Sequence, residues 1–480
     1  RSLQPSLPDH TLQFTLDEEG RPRAAWTLQK GVGRLFWLDT ASGRWELLQE
    51  DADGLMGRSV IPIHVDRQGH LYVVASDGNA AETMSLYRYN VSEKHLEHPA
   101  LVSLAGFDFH GQLLFNRDDT RLLGVRFESD APGTYWLDPE LKAVQAEIDE
   151  RLPGLINRVS FCDDCEHSRR VLVRSTSDRQ SRFYSLYDVQ TKQLVRLGSA
   201  RPWLEARQMA SRDFYRMKTR DGMEMPVWIT QPAGHGPWPT VVLVHGGPMV
   251  RGGHWAWEPW SQFLASRGYL VVEPEFRGSD GYGQRWLRAG FHQWGLAMQD
   301  DVADAARWAI DKGWARAGRI CIAGGSYGGY AALLGLVRDL DLYRCGIDIA
   351  GVTDLGLMSS ITWSDASESW VRYGLPTVIG DPARDAERFK ATSPIQQAAR
   401  IKAPLLLAYG SLDRRVPIDH GKRFLAAVEE GNPQVEWLEY PEEGHGFFKP
   451  ENRYDFWRHA ERFLARYLDD PPATPAPAKP

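Results

Sequence analysis

One serine in the stretch CIAGGSYGGYAAL, residues 321–333, has two glycines on each side. Gly324, Ser326 and Gly328 form the pattern Gly-x-Ser-x-Gly, with an apolar run before it and a helix-forming run after it. This is the context of a nucleophile elbow, a tight strand-to-helix turn that lifts a serine hydroxyl above a sheet edge. A phosphate-binding loop or a plain tight turn is the alternative. The flanking elements favour the elbow, with Ser326 as the candidate nucleophile.

A serine hydroxyl becomes a useful nucleophile when a histidine, oriented by a carboxylate, accepts its proton. In α/β-hydrolases the acid and the histidine follow the serine in that order. Asp413 comes just after the apolar run PLLLAYG, and His445 lies between two glycines after the next apolar run. Spacing does not exclude Asp419 or His420. Asp419 fits a residue that compensates a helix dipole, and we expect His420 at the surface.

Acyl transfer also needs hydrogen-bond donors for the oxyanion. One expected donor is the backbone N–H of Tyr327, the residue after the candidate nucleophile. The loop His245-Gly246-Gly247-Pro248, after the apolar run VVLV, is the expected source of the second donor. Its glycines allow backbone N–H groups to turn inward. We expect a structural role for His245 itself.

The elements that must position these residues differ between the two parts of the chain. Residues 204–470 alternate near-continuous apolar strands with amphipathic helices. This alternation predicts a doubly wound, mostly parallel sheet covered on both faces, an α/β-hydrolase domain. Residues 471–480, PPATPAPAKP, are expected to form a disordered tail.

Residues 1–203 contain short β-like runs separated by turn residues, with one short helix expected near residues 144–150. Four segments repeat an aromatic strand, an Asp or Asn, a polar turn and a second strand. Their turn residues are Asp39, Asn90, Asp138 and Asp188, separated by 51, 48 and 50 positions. A period near 50 residues is typical of β-propeller blades. We predict about four blades, a partial propeller; unrelated hairpins are the alternative.

Composition narrows the classes of partner and cofactor. The 480 residues carry a formal net charge of −7 without a basic block, which argues against nucleic acid. No apolar run approaches the roughly 20 residues of a membrane span, so we expect a soluble protein. The chain begins at Arg1 without a signal peptide, and the compartment, cytoplasmic or periplasmic, stays open.

The four cysteines are too few for a disulfide framework in a chain of this length. Cys162 and Cys165 form one Cys-x-x-Cys pair, but no second pair of zinc ligands is evident nearby. A local disulfide or a plain loop is favoured there. We expect neither a metal nor an organic cofactor.

Six motifs together resemble the prolyl oligopeptidase family of serine peptidases. They are HGGP (245–248), RGSDGYG (277–283), WG (294–295), GGSYGGY (324–330), SLDRRVP (411–417) and EGHGF (443–447). The HGGP form is most similar to the acylaminoacyl-peptidase branch. The resemblance implies a β-propeller ahead of an α/β-hydrolase domain. Members usually have seven blades, so a count of about four implies that the N-terminal part of the propeller is missing here.

The resemblance also implies roles for individual residues. Ser326 would be the nucleophile, Asp413 the orienting acid, His445 the base, Gly247 and Tyr327 the oxyanion donors, and Arg415 an anchor for a substrate carbonyl. An arginine suits that task because it carries several donors, although a surface ion pair is the alternative. Where the family commonly has Asn two residues before Arg-Gly-Ser, this chain has Glu275, which either alters the charge near the site or is structural.

The leading hypothesis is a serine peptidase that hydrolyses short peptides through an acyl-enzyme intermediate. An esterase with the same triad is the main alternative, because fold and triad do not separate the two activities. An inactive binding module that uses the propeller is a third hypothesis, which the complete set of three catalytic residue types disfavours. The side-chain preference, the blocking state of the substrate and exo- or endopeptidase action stay open. A homo-oligomer, or association with the missing propeller segment, is an expected partner interaction.

Overall fold

The computed structural model describes residues 6–52, 54, 60–76, 78–161, 169–360, 364–365 and 370–469. Cys162, Cys165 and the expected tail 471–480 lie outside these residues. The chain divides into two compact units. The first comprises Arg1–Met209, His254–Trp257 and Ser279–Ala289; the second comprises Ala210–Gly253, Glu258–Gly278 and Gly290–Pro480.

Antiparallel strands form four small sheets among the described residues of the first unit. The first sheet contains β1 (Thr11–Leu16), β2 (Pro22–Gln29), β3 (Val32–Asp39) and β4 (Arg44–Asp51). The second contains β5 (Ile61–Val65), β6 (Leu71–Ser76), β7 (Met84–Asn90) and β8 (His95–Leu96). The third contains β9 (Gly111–Phe115), β10 (Leu122–Glu128) and β11 (Pro132–Trp136). The fourth contains β12 (Ile156–Phe161), β13 (Arg170–Thr176), β14 (Phe183–Asp188) and β15 (Leu194–Ser199).

The repeated Asp or Asn has the same task in every sheet. The side chains of Asp39, Asn90, Asp138 and Asp188 each accept a backbone N–H two or three residues further along, at 2.9–3.0 Å. Such bonds fix the turn that follows an aromatic strand. Each repeat in the sequence therefore corresponds to one blade-like sheet in the structure.

The third repeat departs from the repeated pattern, because a helix follows its turn instead of a second strand, and this helix contains the short helix expected near residues 144–150. Helix α1 (Pro139–Arg151) begins after Asp138, whose side chain caps it, and has proline at its first position. Leu141, Val144 and Ile148 lie on one face of α1 and are buried against the strands. This helical spacing of apolar residues overrides the strand pattern of the other repeats.

The second unit is built on one eight-stranded sheet. Its strands are β16 (Ser211–Lys218), β17 (Glu224–Gln231), β18 (Trp238–Val244), β19 (Leu270–Pro274), β20 (Ala315–Gly325), β21 (Cys345–Ile349), β22 (Leu405–Gly410) and β23 (Val435–Tyr440). The order is β16-β17-β19-β18-β20-β21-β22-β23, with antiparallel pairing at β16-β17-β19 and parallel pairing elsewhere. The predicted mostly parallel sheet is confirmed.

Helices cover both faces of this sheet. The helices that contact its strands are α2 (Pro259–Ser266), α4 (Ala297–Asp311), α5 (Tyr327–Arg338), α9 (Asp419–Glu429) and α10 (Pro450–Leu468). The second unit also contains α6 (Leu357–Ser360), α7 (Leu375–Val378) and α8 (Ala386–Thr392), while α3 (Gln284–Ala289) belongs to the first unit. Cys321 and Ala323 of β20 share a core cluster with α2 and α10. Ile322, between them, faces α5 at Gly335. Alternate strand residues thus serve opposite faces.

Two further features follow from the described residues. Cys321 and Cys345 are directly opposite each other on β20 and β21 and form a buried disulfide. The sequence did not indicate this pair, because strand register alone brings together two residues 24 positions apart. None of the described helices has the length and apolarity that a bilayer crossing requires.

Candidate active site

Ser326 lies on the tight turn between β20 and α5. Its backbone has φ 58° and ψ −120°, a conformation that is strained for any residue other than glycine. The glycines around it are required by close backbone approach. A Cβ atom at Gly328 would overlap the carbonyl oxygen of Val244, and one at Gly324 would overlap the backbone of Gly328. The predicted elbow geometry is therefore present in the structure.

The HGGP loop follows β18 and reaches the elbow from the neighbouring strand. A Cβ atom at Gly246 would lie 3.3 Å from Cβ of Ser326, which places this loop against the serine. Gly247 has φ 117°, a conformation that favours glycine. Gly247, Ser326 and Tyr327 line one cavity, so the structure brings the two expected oxyanion donors to the candidate nucleophile.

His445 and Asp413 form a hydrogen-bonded pair after β23 and β22. Nδ1 of His445 lies 2.7 Å from Oδ2 of Asp413, a completely buried carboxylate. Oδ1 of Asp413 accepts the backbone N–H groups of Arg415 and Val416 at 2.8 and 3.0 Å. These bonds fix the carboxylate so that Nδ1 carries the proton and Nε2 is the basic atom.

The structure does not join all three candidate catalytic side chains. Within the described part of the chain, Ser326 forms no hydrogen bond with His445. Such contacts are often long in proteins without a bound substrate and shorten when one binds. The His445–Asp413 pair is thus formed before any substrate binds, and a contact between Ser326 and His445 stays a prediction.

The cavity at Ser326 has a volume of about 410 Å³ and a mostly apolar lining. The apolar side chains come mainly from the segment between β21 and β22, with Val352, Met358, Trp370 and Leu375 among them. Ser326 and Tyr327 place the elbow at the cavity. The arrangement can take a mainly apolar group bonded to a carbonyl placed next to Ser326, the candidate nucleophile.

Arg415 forms an ion pair, which is the alternative interpretation of this residue from the sequence, and its role toward a substrate carbonyl stays a prediction. It lines the cavity, and its Nε lies 2.8 Å from both carboxylate oxygens of Asp365, which also lines the cavity. The Arg415 guanidinium holds the pKa of Asp365 below its usual range through this hydrogen bond. Sequence reasoning missed Asp365, because nothing in its polar surroundings marks it as the partner of an arginine 50 residues away.

The expectation that His420 lies at the surface is wrong. Its side chain is 1% exposed, lies in the first turns of α9 and lines the cavity. Burial lowers the pKa of His420 to about 4, so the imidazole is neutral at physiological pH. Asp419 lies in the first turn of α9, where its charge compensates the helix dipole as predicted.

Glu275 is structural rather than part of the cavity lining. It is buried and accepts the backbone N–H groups of Gly252, at 2.9 Å, and of Gly253. Its carboxylate also lies 3.7 Å from Nε2 of His245, whose ring stacks on Phe276. Glu275 thus fixes the segment that follows the HGGP loop, and His245 has the structural role that the sequence indicated.

Comparisons with known proteins extend these observations. A model of the prolyl oligopeptidase family matches residues 255–471. The chain is 34% identical over 347 residues to dipeptidyl aminopeptidase BIII of Pseudoxanthomonas mexicana, a match that covers 69% of this chain and 49% of that protein. The chain thus spans about half the length of this curated relative.

Solved structures show the same fold. A crystal structure of puromycin hydrolase matches with a TM-score of 0.74 and 22% identity, covering 96% of this chain and 70% of that one. A Pyrococcus horikoshii acylaminoacyl peptidase matches with a TM-score of 0.64 and 20% identity, covering 95% of this chain and 68% of that one. Both combine a β-propeller with an α/β-hydrolase domain, so the predicted fold class is confirmed.

Proposed function

We propose that this chain, whose residues 255–471 belong to the prolyl oligopeptidase family, is a serine peptidase that hydrolyses short peptides through an acyl-enzyme intermediate. The observation that carries the proposal is the 2.7 Å bond between Nδ1 of His445 and the buried carboxylate of Asp413. This bond leaves Nε2 of His445 as a base, and the fold supplies a strained serine as the nucleophile.

In the proposed reaction, Oγ of Ser326 attacks the scissile carbonyl while Nε2 of His445 accepts its proton. The backbone N–H groups of Gly247 and Tyr327 stabilise the oxyanion. His445 then gives its proton to the leaving amine, and water hydrolyses the acyl-enzyme by the same steps. Asp413 keeps the imidazole in the required tautomer and stabilises the imidazolium.

Arg415 would hold a carbonyl of the peptide chain outside the scissile bond. Its guanidinium carries donors beyond the Nε that bonds Asp365, and the side chain is largely exposed at the cavity. We propose that the substrates are peptides from whose N-termini one or two residues are removed. One relative is named a dipeptidyl aminopeptidase, and one structural neighbour is named an acylaminoacyl peptidase. The two names differ in whether the N-terminus is free or acylated, which the first experiment must resolve.

The test is a hydrolysis panel on the purified chain, with Ser326→Ala as the control. The substrates are an acetyl-aminoacyl p-nitroanilide, a free dipeptidyl p-nitroanilide, a longer blocked peptide and a short-chain p-nitrophenyl ester. Amide cleavage that the alanine variant loses would support a peptidase, and the preferred blocking state would identify its type. Ester cleavage without amide cleavage would favour the alternative, an esterase. No Ser326-dependent turnover would leave an inactive binding module.

A further inference from the structure

The cavity at Ser326 contains a buried histidine that the proposed reaction does not use. His420 is 1% exposed and lines the cavity. It is hydrogen-bonded neither to Asp413 nor to Ser326 in the described part of the chain. In cavities with a mainly apolar lining, the few polar groups fix the orientation of a ligand.

The hydrogen bonds of His420 determine which of its nitrogens carries the proton. The backbone N–H of Thr353 points at Nδ1 from 3.2 Å, and a backbone N–H can only donate. The hydroxyl of Thr353 uses its single proton on the carbonyl oxygen of His420, at 2.8 Å. Nδ1 is therefore the acceptor, and in the neutral imidazole the proton is on Nε2.

Nε2–H of His420 has no acceptor within hydrogen-bond distance among the residues that the structure describes. Nε2 is not among the fully enclosed atoms. Arg415 and Asp365, which line the same cavity, are bonded to each other. When a ligand fills the cavity and excludes water, a donor left without an acceptor is costly, so a ligand that supplies the acceptor gains over one that does not.

We propose that His420 is a specificity-determining residue, whose Nε2–H favours substrates with an apolar side chain that ends in a hydrogen-bond acceptor on the residue at the scissile carbonyl. Tyrosine fits this description, and phenylalanine is the same shape without the acceptor. The inference rests on the proposed function, because Ser326, Gly247 and Tyr327 at the same cavity define where the scissile carbonyl lies. A site built to bond a hydroxyl discriminates against the analogue that lacks it.

The experiment compares kcat/KM for a matched pair of substrates, N-acetyl-tyrosine and N-acetyl-phenylalanine p-nitrophenyl esters, together with the corresponding peptide p-nitroanilides. Activated esters report acylation of Ser326 whether the chain is a peptidase or an esterase. We expect the wild-type protein to favour tyrosine by about tenfold, the size of one hydrogen bond to a buried neutral donor.

Two variants distinguish the loss of the Nε2–H donor from a general disruption of the fold. In His420→Asn, the side-chain oxygen replaces Nδ1 and keeps the bond to Thr353, whereas the donor at the position of Nε2 is lost. In His420→Gln, an amide N–H₂ lies near the position of Nε2. We expect the tyrosine preference to fall to about twofold or less in the Asn variant and to return in the Gln variant.

Met358→Ala is the matched control, since Met358 lines the same cavity without a donor. It should change the rates of both substrates together and leave their ratio intact. Ser326-dependent turnover with an equal tyrosine-to-phenylalanine ratio in wild type and His420→Asn would overturn this inference and leave the proposed function standing. Absence of Ser326-dependent turnover on every substrate would overturn both.

Discussion

The hydroxyl oxygen of Tyr409 lies 2.6 Å from Oδ2 of Asp348 and 2.9 Å from the carbonyl oxygen of Gly351, and all three residues are buried. A tyrosine hydroxyl has one proton and cannot donate to both acceptors. Both contacts are satisfied when Asp348 is protonated and donates to Tyr409. Burial raises the pKa of Asp348 to about 7, in agreement with this arrangement.

The carboxyl group of Asp348 lies directly behind the elbow. A Cβ atom at Gly329, in the first turn of α5, would overlap Oδ1 of Asp348. Tyr409, the only titratable side chain that faces Asp348 among the described residues, lies on β22, four residues before Asp413. The pair thus connects the strand that leads to Asp413 with the helix that follows Ser326.

We predict that Asp348→Asn stabilises the protein at alkaline pH. In the native state the pKa is raised, so the folded chain binds a proton that the unfolded chain releases, and wild-type stability falls as the pH rises from about 4 to about 7. Asparagine has no proton to lose. At pH 8 we expect a gain on the order of 2 kcal/mol, which shrinks as the pH approaches 5.

Thermal unfolding of both proteins across this pH range is the measurement, and Asp341→Asn, at an exposed aspartate, is the control. A gain of the same size at every pH would show that Asp348 is ionised in the native protein.

We predict that Asp413→Asn lowers kcat by about a thousandfold or more, because an amide does not hold Nδ1 of His445 in the protonated tautomer. The measurement is kcat on the best substrate of the panel. Asp419→Asn is the control, since Asp419 compensates the dipole of α9 and, in the described part of the chain, forms no hydrogen bond with His445; it should stay within tenfold of wild type. A larger loss of kcat in Asp419→Asn than in Asp413→Asn would indicate that Asp419 is the acid that orients His445.

We predict that Gly328→Ala destabilises the second unit by about 2–4 kcal/mol, because the added methyl group overlaps the carbonyl oxygen of Val244. Gly325→Ala is the matched control. There the nearest atom to an added Cβ, the carbonyl oxygen of Ile349, lies at an ordinary 3.6 Å. Thermal unfolding of the two variants measures the difference. Equal unfolding midpoints would mean that the backbone of β18 moves to accommodate the added methyl group at little cost in stability.

We predict that Arg415→Met lowers kcat/KM for peptides by roughly 10- to 100-fold, the value of a charge-assisted hydrogen bond, and lowers turnover of a short ester less. The short ester has no second carbonyl for the guanidinium to hold. Arg414→Met is the control, since this neighbouring arginine does not line the cavity. Equal losses on peptide and ester would indicate that Arg415 acts through its ion pair with Asp365 and not on the substrate.

Much of the fold could be predicted from the sequence, because its signals are local. Five consecutive positions around Ser326 define the elbow, and the first and last of them must be glycine because other backbone atoms lie too close for a side chain. The turns at Asp39, Asn90 and Asp188 are equally local, since each side chain bonds a backbone N–H two or three residues away. Motif order then indicated Asp413 and His445 before any contact between them was known.

What the sequence left open depends on neighbours that are distant along the chain. His420 follows the pattern of an exposed helix start, yet packing against Thr353 buries it beside Ser326. The partners Asp365 and Arg415 are 50 residues apart, and Tyr409 and Asp348 are 61 apart. The register of parallel strands and the loops at their ends set these distances. For that reason the sequence by itself determined the elements and the candidate chemistry, whereas the tertiary structure decided which polar groups share the cavity and which are buried behind it.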